Sequence, residues 1–173
     1  MEKLRFAVIG VSNEGVGNIH SKSVIQHKDT ILQAICEVKE EWLELAKENY
    51  NPVFTCTDYH DILNDPEIQA VLICSSTNTH SPISLEAIAA GKHVFCEKPI
   101  DHDLGRIKEV VNALKGKNLK YQVGFNRRHD HNFAAVKQAI LDGKVGDVHI
   151  IKITSRDPEP PSAEYAAVSG GMF

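Results

Sequence analysis

The feature that most constrains this chain is its regular alternation of short apolar runs with helix-length segments. Leu4–Gly10, Ile31–Cys36, Val53–Thr55, Gln69–Cys74, His93–Cys96 and Leu119–Gly124 each read as a strand. Asn18–His27, Glu40–Tyr50, Tyr59–Leu63, Ser81–Ala90 and Asn132–Leu141 read as helices, as does a segment capped by Asp101 or Asp103 and ending near Lys115. Consecutive parallel strands need a crossover long enough to hold a helix, and this spacing supplies one. The unbroken apolar run QAVLIC at 69–74 suits a strand covered on both faces. The pattern therefore predicts an α/β fold with a doubly wound parallel sheet.

Turn chemistry supports the same division. Pro82 suits a first helical turn and Gly91 a helix C-terminus, and Asp58 suits an N-cap. After residue 144 the texture changes. Residues Asp147–Ser155 alternate polar and apolar side chains, as a strand with one wet face does, and Asp157–Pro161 reads as a loop. A lone antiparallel strand is not a domain. Residues 1–124 are therefore expected to form one domain. Residues 125–173 are expected to hold a connecting helix and only the start of a second α/β domain, so that the chain reads as truncated.

Composition narrows the function classes. The 173 residues carry a net charge of −4 with no long basic run, which argues against a nucleic-acid partner. No apolar stretch reaches the ~20 residues of a membrane helix, and the N-terminus lacks a signal-peptide layout, so the cytoplasm is the expected compartment. The four cysteines, at 36, 56, 74 and 96, contain no Cys-x-x-Cys pair. They read as small buried thiols, and no metal site is expected.

The chemistry-bearing residues gather just after strands, where an open parallel sheet binds ligands. Gly10, Gly15 and Gly17 follow the first strand and precede the first helix. Glycines there let the backbone approach a pyrophosphate, although G-x₄-G-x-G departs from the usual G-x-G-x-x-G. Glu37 follows the second strand, where a carboxylate can accept from a ribose diol and repel a 2′-phosphate; that favours NAD over NADP, an effect that Lys39 softens. Ser75 to His80 form a loop rich in hydroxyls and amides after the fourth strand. Ser75, Asn78 and His80 are candidate cofactor contacts there, and a helix cap on Asn78 or Thr79 is the competing reading. Glu97 and Lys98 end the fifth strand, before Pro99. After the sixth strand, Asn126 and Arg127 are candidate substrate contacts for a polyhydroxylated or anionic ligand, against a plain helix start capped by Asp130 or Asn132.

Several stretches together carry a resemblance: AVIG at 7–10 with His20, DPEIQAVLICSSTNTH at 65–80, AGKHVFCEKPI at 90–100 and GFNRRHD at 124–130. The chain resembles the glucose–fructose oxidoreductase, inositol dehydrogenase and rhizopine-catabolism family (Gfo/Idh/MocA). Its tail is similar to the inositol 2-dehydrogenase branch. The resemblance implies a Rossmann domain, an NAD-dependent dehydrogenase acting on a polyol or sugar hydroxyl, and homo-oligomers in intact members. It also implies that Lys98 is catalytic, reaches the reacting oxygen and contributes to both cofactor and substrate binding, in a turn set by Pro99 with a cis bond. Two departures qualify it. The glycine loop is about two residues longer than in the family, and the family's proton-accepting Asp-x-x-x-His lies beyond a Gly-Gly-aliphatic-Phe segment like the one at 170–173. This chain alone is therefore expected to be inactive. A non-catalytic dinucleotide-binding module and an unstable gene fragment are the alternatives.

Overall fold

The computed structural model describes residues 2–12, 15–156 and 160. The DPEPP loop, the Gly-Gly-Met-Phe ending and residues 13 and 14 of the glycine loop lie, wholly or in part, outside the described residues. The chain divides into two compact units, Met1–Gly124 and Phe125–Phe173.

The first unit is a six-stranded sheet. Its strands are β1 (Leu4–Ile9), β2 (Thr30–Cys36), β3 (Phe54–Cys56), β4 (Ala70–Ile73), β5 (His93–Cys96) and β6 (Tyr121–Val123). They lie in the order β3-β2-β1-β4-β5-β6 and every pairing is parallel. The crossover helices are α1 (Val16–Gln26), α2 (Glu40–Tyr50), α3 (His60–Asn64), α4 (Thr77–Ala89) and α5 (Leu104–Leu114). This is the doubly wound Rossmann order, with its reversal between β1 and β4.

Strand periodicity decides which side chains meet which helices. Ala7, Ile9, Ala34, Cys36, Val71 and Ile73 point to the face that packs Ile62 of α3, Ile83 and Ala87 of α4, and Val110 of α5. Val8, Ile35 and Leu72 point the other way, onto Val24 of α1 and Leu43 and Ala46 of α2. Both faces are covered, which is why the strands read as continuous apolar runs.

At the carboxyl edge of the sheet, each strand end is tied to its neighbour. Backbone N–H groups of Glu37, Gly10, Cys74, Glu97 and Gly124 donate to the carbonyls of Cys56, Cys36, Ile9, Ile73 and Cys96, at 2.8–3.1 Å. These five bonds form a continuous rim; of the candidate site residues of this unit, Gly10, Glu37 and Glu97 sit on it and Ser75 and Lys98 one step beyond.

Three expectations need correction. First, Ser75–His80 is not a loop throughout. Helix α4 starts at Thr77 with Ser76 in the N-cap position, so neither Asn78 nor Thr79 is the cap, and Pro82 sits inside the helix rather than in its first turn. The opening of α4 is hidden in sequence because its buried face is largely polar: His80, Ser81 and Ser84 are buried beside Ile83 and Ala87. At the other end the expectation holds in substance. Gly91 takes a φ of +75°, and the N–H groups of Gly91 and Lys92 bond back to Ile88 and Ala87.

Second, of the two caps offered for α5, Asp103 is the one whose carboxylate accepts from the helix, at Arg106 N–H. Asp101 is instead buried and accepts from the Ser81 hydroxyl. Third, residues 147–155 form no strand. A strand needs a partner for its ladder, and no described residue pairs with this one. Val148, Ile150, Ile151 and Ile153 consequently stand exposed. In the second unit, a 3₁₀ turn (Asn126–His129) leads into α6 (His131–Leu141), capped by Asp130.

Candidate active site

The topological reversal between β1 and β4 leaves a crevice beyond the strand ends. A cleft of about 610 Å³ opens there, with Gly10, Glu37, Trp42, Ser75 and Asn78 among its lining residues. Gly10 makes this geometry possible. Its φ is +94°, and a Cβ on it would lie 2.6 Å from the backbone nitrogen of Ser75. Only glycine lets the ends of β1 and β4 approach so closely. Gly17 acts on the helix instead. A Cβ there would come within 2.0 Å of the Gly10 carbonyl oxygen, so its absence allows α1 to sit directly against the strand end. Gly15 is the N-cap residue of α1 and lines a smaller groove, of about 300 Å³, shared with Ser12, Asn18 and Trp42. The three glycines are thus brought to one helix start, the place where a dinucleotide fold receives an anion.

Glu37 lines the cleft but is largely buried, and it is already engaged. One carboxylate oxygen accepts the Val11 N–H at 3.0 Å and the other accepts the Lys39 N–H at 3.0 Å. The carboxylate therefore links the end of β2 to the start of the glycine loop. Each oxygen keeps a lone pair, so a ribose diol can still be accepted. The Lys39 ammonium lies 3.9 Å over the Trp42 ring, at the lip of the same cleft.

Ser75 and Asn78 line the cleft from the start of α4, and the Ser75 hydroxyl pairs with that of Thr79 at 2.7 Å. His80 is turned inward. It is 2% exposed, with Nδ1 2.7 Å from the Pro99 carbonyl oxygen and Nε2 2.9 Å from that of Ser75. A cofactor contact from this ring would have to displace one of those bonds. What the ring does here is tie the start of α4 to the turn after β5.

That turn carries Glu97, Lys98 and Pro99, and the Lys98–Pro99 peptide is cis. One Glu97 oxygen meets His20 Nε2 at 3.0 Å, and the other accepts the Lys98 N–H at 3.2 Å. A Cβ on Gly124 would fall 2.9 Å from the Glu97 carboxyl, so the end of β6 is held open for it. His20 in turn leans on Phe95, with ring centroids 4.7 Å apart. Glu97 is thus fixed from α1, β6 and its own backbone, while the Lys98 side chain stays exposed at the carboxyl edge of the sheet. Such an ammonium can stabilise a developing alkoxide.

Asn126 and Arg127 belong to the second unit. There the Asn126 side chain accepts the Arg127 N–H at 3.0 Å, and the Arg127 guanidinium lies 5.9 Å from the centroid of the Phe133 ring. The cis bond before Pro99 that the resemblance implied is present. Sequence reasoning gave no role within these networks to His20 or to the Pro99 carbonyl; their partners, Glu97 and His80, lie 77 and 19 residues away, and no local pattern signals such contacts. Among the described residues no group of three or more His, Cys, Asp or Glu side chains is placed to hold a metal, and no helix is long and apolar enough to cross a membrane.

Comparison with known proteins agrees with this geometry. Residues 4–125 match the family model GFO_IDH_MocA, described as an oxidoreductase family with an NAD-binding Rossmann fold. The chain is 41% identical over 170 residues to a myo-inositol 2-dehydrogenase of Thermotoga maritima, covering 98% of this chain and 50% of that protein. It is 37% identical over 170 residues to an inositol 2-dehydrogenase of Rhizobium meliloti, again covering 98% of this chain and 50% of the relative. The chain thus spans about half the length of these curated relatives. Among solved structures, the scyllo-inositol dehydrogenase of Lactobacillus casei with bound NAD(H) and scyllo-inositol superposes with a TM-score of 0.79 at 32% identity, covering 84% of this chain and 43% of that one. Glycine-lined switch point, Glu-Lys-Pro turn and matched sequence converge, and the chain belongs to the Gfo/Idh/MocA family of NAD-binding oxidoreductases.

Proposed function

We propose that this chain is the dinucleotide-binding half of a dehydrogenase that oxidises a hydroxyl of inositol or a closely related cyclitol or sugar. The observation that carries this reading is the Glu97-Lys98-Pro99 turn, buttressed by His20 and His80 at the same sheet edge as the cleft. Residues 1–124 form the nucleotide domain in this reading, and residues from 125 onward begin the substrate side.

The residues present fit a dinucleotide. Gly10 and Gly17 let β4 and α1 close in on the end of β1, the N-terminus of α1 adjoins the glycine loop, and Glu37 retains acceptor capacity for a ribose. Its negative charge favours NAD over NADP. Ser75 and Asn78 supply hydroxyl and amide groups along the cleft wall. The nicotinamide ring, when bound, supplies the hydride acceptor. Lys98 holds its ammonium toward the substrate oxygen, lowers the energy of the alkoxide as the proton leaves, and carries that proton onward. Asn126 and Arg127, on the second unit, are proposed contacts for a polyhydroxylated ligand.

The chain covers about half of its relatives, and we assign it cofactor affinity without turnover of its own. The test is a titration of the 173-residue chain with NADH, followed through Trp42, the only tryptophan and a wall of the cleft. Saturable quenching with energy transfer to the bound nicotinamide, weaker for NADPH, is expected. Absence of binding by a folded sample would overturn the reading, and formation of NADH from NAD and myo-inositol would overturn the assignment of no turnover.

A further inference from the structure

The cleft floor contains a pair of thiols that the dehydrogenase reading does not use. Cys36 ends β2 and Cys56 ends β3, and the two are register partners in adjacent parallel strands. Both are buried in the same apolar cluster, so both side chains leave the sheet on the same face. The Cys56 thiol donates to the Ile35 carbonyl at 3.9 Å. Neighbouring strands lie about 4.8 Å apart, inside the roughly 4.4–6.8 Å Cα separation that a disulfide spans. The other two cysteines lack this arrangement. Cys96 is opposite Ile73 in the β4–β5 register, and Cys74 falls one residue beyond β4.

The pair is also wired to the site. Cys36 lines the cleft. Its carbonyl accepts the Gly10 N–H at 2.9 Å, and the Cys56 carbonyl accepts the Glu37 N–H at 3.1 Å. Two of the five rim bonds therefore hang on these two residues. Joining the sulfurs would bring them to about 2.05 Å. Such a movement pulls at the backbone that sets Gly10 and Glu37.

We propose that Cys36 and Cys56 form an oxidisable dithiol at the floor of the nucleotide cleft, converted by a peroxide to a disulfide that weakens dinucleotide binding. The second half of this proposal rests on the nucleotide reading above; the first half does not. Cys56 is the less deeply buried of the two, 9% exposed against 3%, and so is the sulfur that meets the peroxide first. Cys56 sulfur attacks a peroxide oxygen: an S–O bond forms, the O–O bond breaks, and the leaving hydroxide takes the Cys56 proton to become water. Cys36 sulfur then attacks the Cys56 sulfur. The S–S bond forms, the S–O bond breaks, and the departing hydroxide takes the Cys36 proton. Two thiols and one hydrogen peroxide give one disulfide and two waters.

The experiment treats the 173-residue chain with hydrogen peroxide, maps the peptides by mass without reduction, and titrates NADH before oxidation, after it, and after dithiothreitol. A Cys36–Cys56 cross-linked peptide is expected, with Cys74 and Cys96 still free. NADH affinity should fall by about tenfold or more and recover on reduction, the effect of disturbing hydrogen bonds that hold a charged carboxylate. Cys56→Ser should abolish both changes. Four free thiols, a sulfinic acid on Cys56, or a link through Cys74 or Cys96 would overturn the dithiol. A correct link with unchanged NADH affinity would overturn its coupling to the cleft. If the reduced chain binds no NADH, the nucleotide reading and the coupling built on it both fail, while peptide mapping still decides whether the dithiol forms.

Discussion

Replacing Gly10 and Gly91 separately by alanine isolates the contact on which the crevice depends. Both glycines have positive φ, +94° and +75°. Each substitution therefore incurs the left-handed cost of ~1–2 kcal/mol, offset by a gain of ~0.4–1 kcal/mol from the stiffer unfolded chain. Those contributions cancel in the comparison. The surroundings do not. A Cβ on Gly91 meets nothing within 4 Å, whereas one on Gly10 lies 2.6, 2.7 and 2.8 Å from backbone atoms of Ser75 and Cys74.

Ordinary contact begins at 3.4 Å, so the β4 end must retreat by 3.4 − 2.6 = 0.8 Å. The adjoining bond from Cys74 N–H to the Ile9 carbonyl, now 2.8 Å, would then be lost. Leaving such buried groups unpaired costs about 1–3 kcal/mol. Gly10→Ala should therefore be less stable than Gly91→Ala by that amount in urea unfolding, with equal m-values. It should also weaken NADH binding by about tenfold or more, while Gly91→Ala, at the far edge of the sheet, leaves binding unchanged. Equal losses of stability in the two variants would refute the close-approach argument.

Other expectations follow from single networks. His80→Ala removes the ring that reaches the carbonyls of Ser75 and Pro99, so a loss of about 1–3 kcal/mol in urea unfolding is expected; a loss below ~0.5 kcal/mol would mean that the ring does not hold these segments. Lys98→Met, at an exposed side chain, should change stability by no more than ~0.5 kcal/mol in this chain; in a protein extended to the length of its relatives it should abolish turnover, measured as NADH formation. The His60 ring lies 2.6 Å from Asp58 and 3.0 Å from Glu86, and its pKa is raised above 6.5, first by the hydrogen bond to Asp58. Asp58 is lowered from 3.8, first by the His60 backbone N–H and then by the ring. The His60 contribution is thus complete below pH 6.5 and is lost as pH rises through the raised folded value. That of Asp58 is complete above pH 3.8 and is lost as pH falls through its lowered value. The stability difference between the chain and His60→Gln should accordingly be present at mildly acidic pH and vanish in alkaline solution; a difference independent of pH would refute the ionic coupling of His60 to Asp58 and Glu86.

What the sequence revealed and what it concealed divide along a physical line. Strands β1, β2, β4 and β5 were legible because burial on both faces leaves them few polar positions, and the helices between them were legible because parallel pairing demands crossovers. The start of α4 was not legible, because the residues on its buried face satisfy their polar groups at a distance: Ser81 on Asp101, Ser84 on Tyr121, and His80 on two carbonyls. Among the described residues no buried side-chain polar atom lacks a partner, so this face is as compatible with burial as an apolar one. Periodicity detects apolar burial alone.

The same line runs through the site. Gly10, Glu37 and Lys98 could be picked out because each stands just past a strand, a position that local pattern defines. His20 could not be given a role, because its meaning depends on Glu97, 77 residues on, and on the room that Gly124 leaves for that carboxylate. The alternation at 147–155 fails for the complementary reason. It states which side chains would face a core, but a ladder requires a second strand, and pattern within one segment cannot supply it. Candidate residues are therefore read from position, whereas the contacts that hold them ready are read only from the fold. In this chain those contacts converge on two neighbouring loops, the glycine turn fastened through Glu37 and the Glu-Lys-Pro turn fastened through His20 and His80.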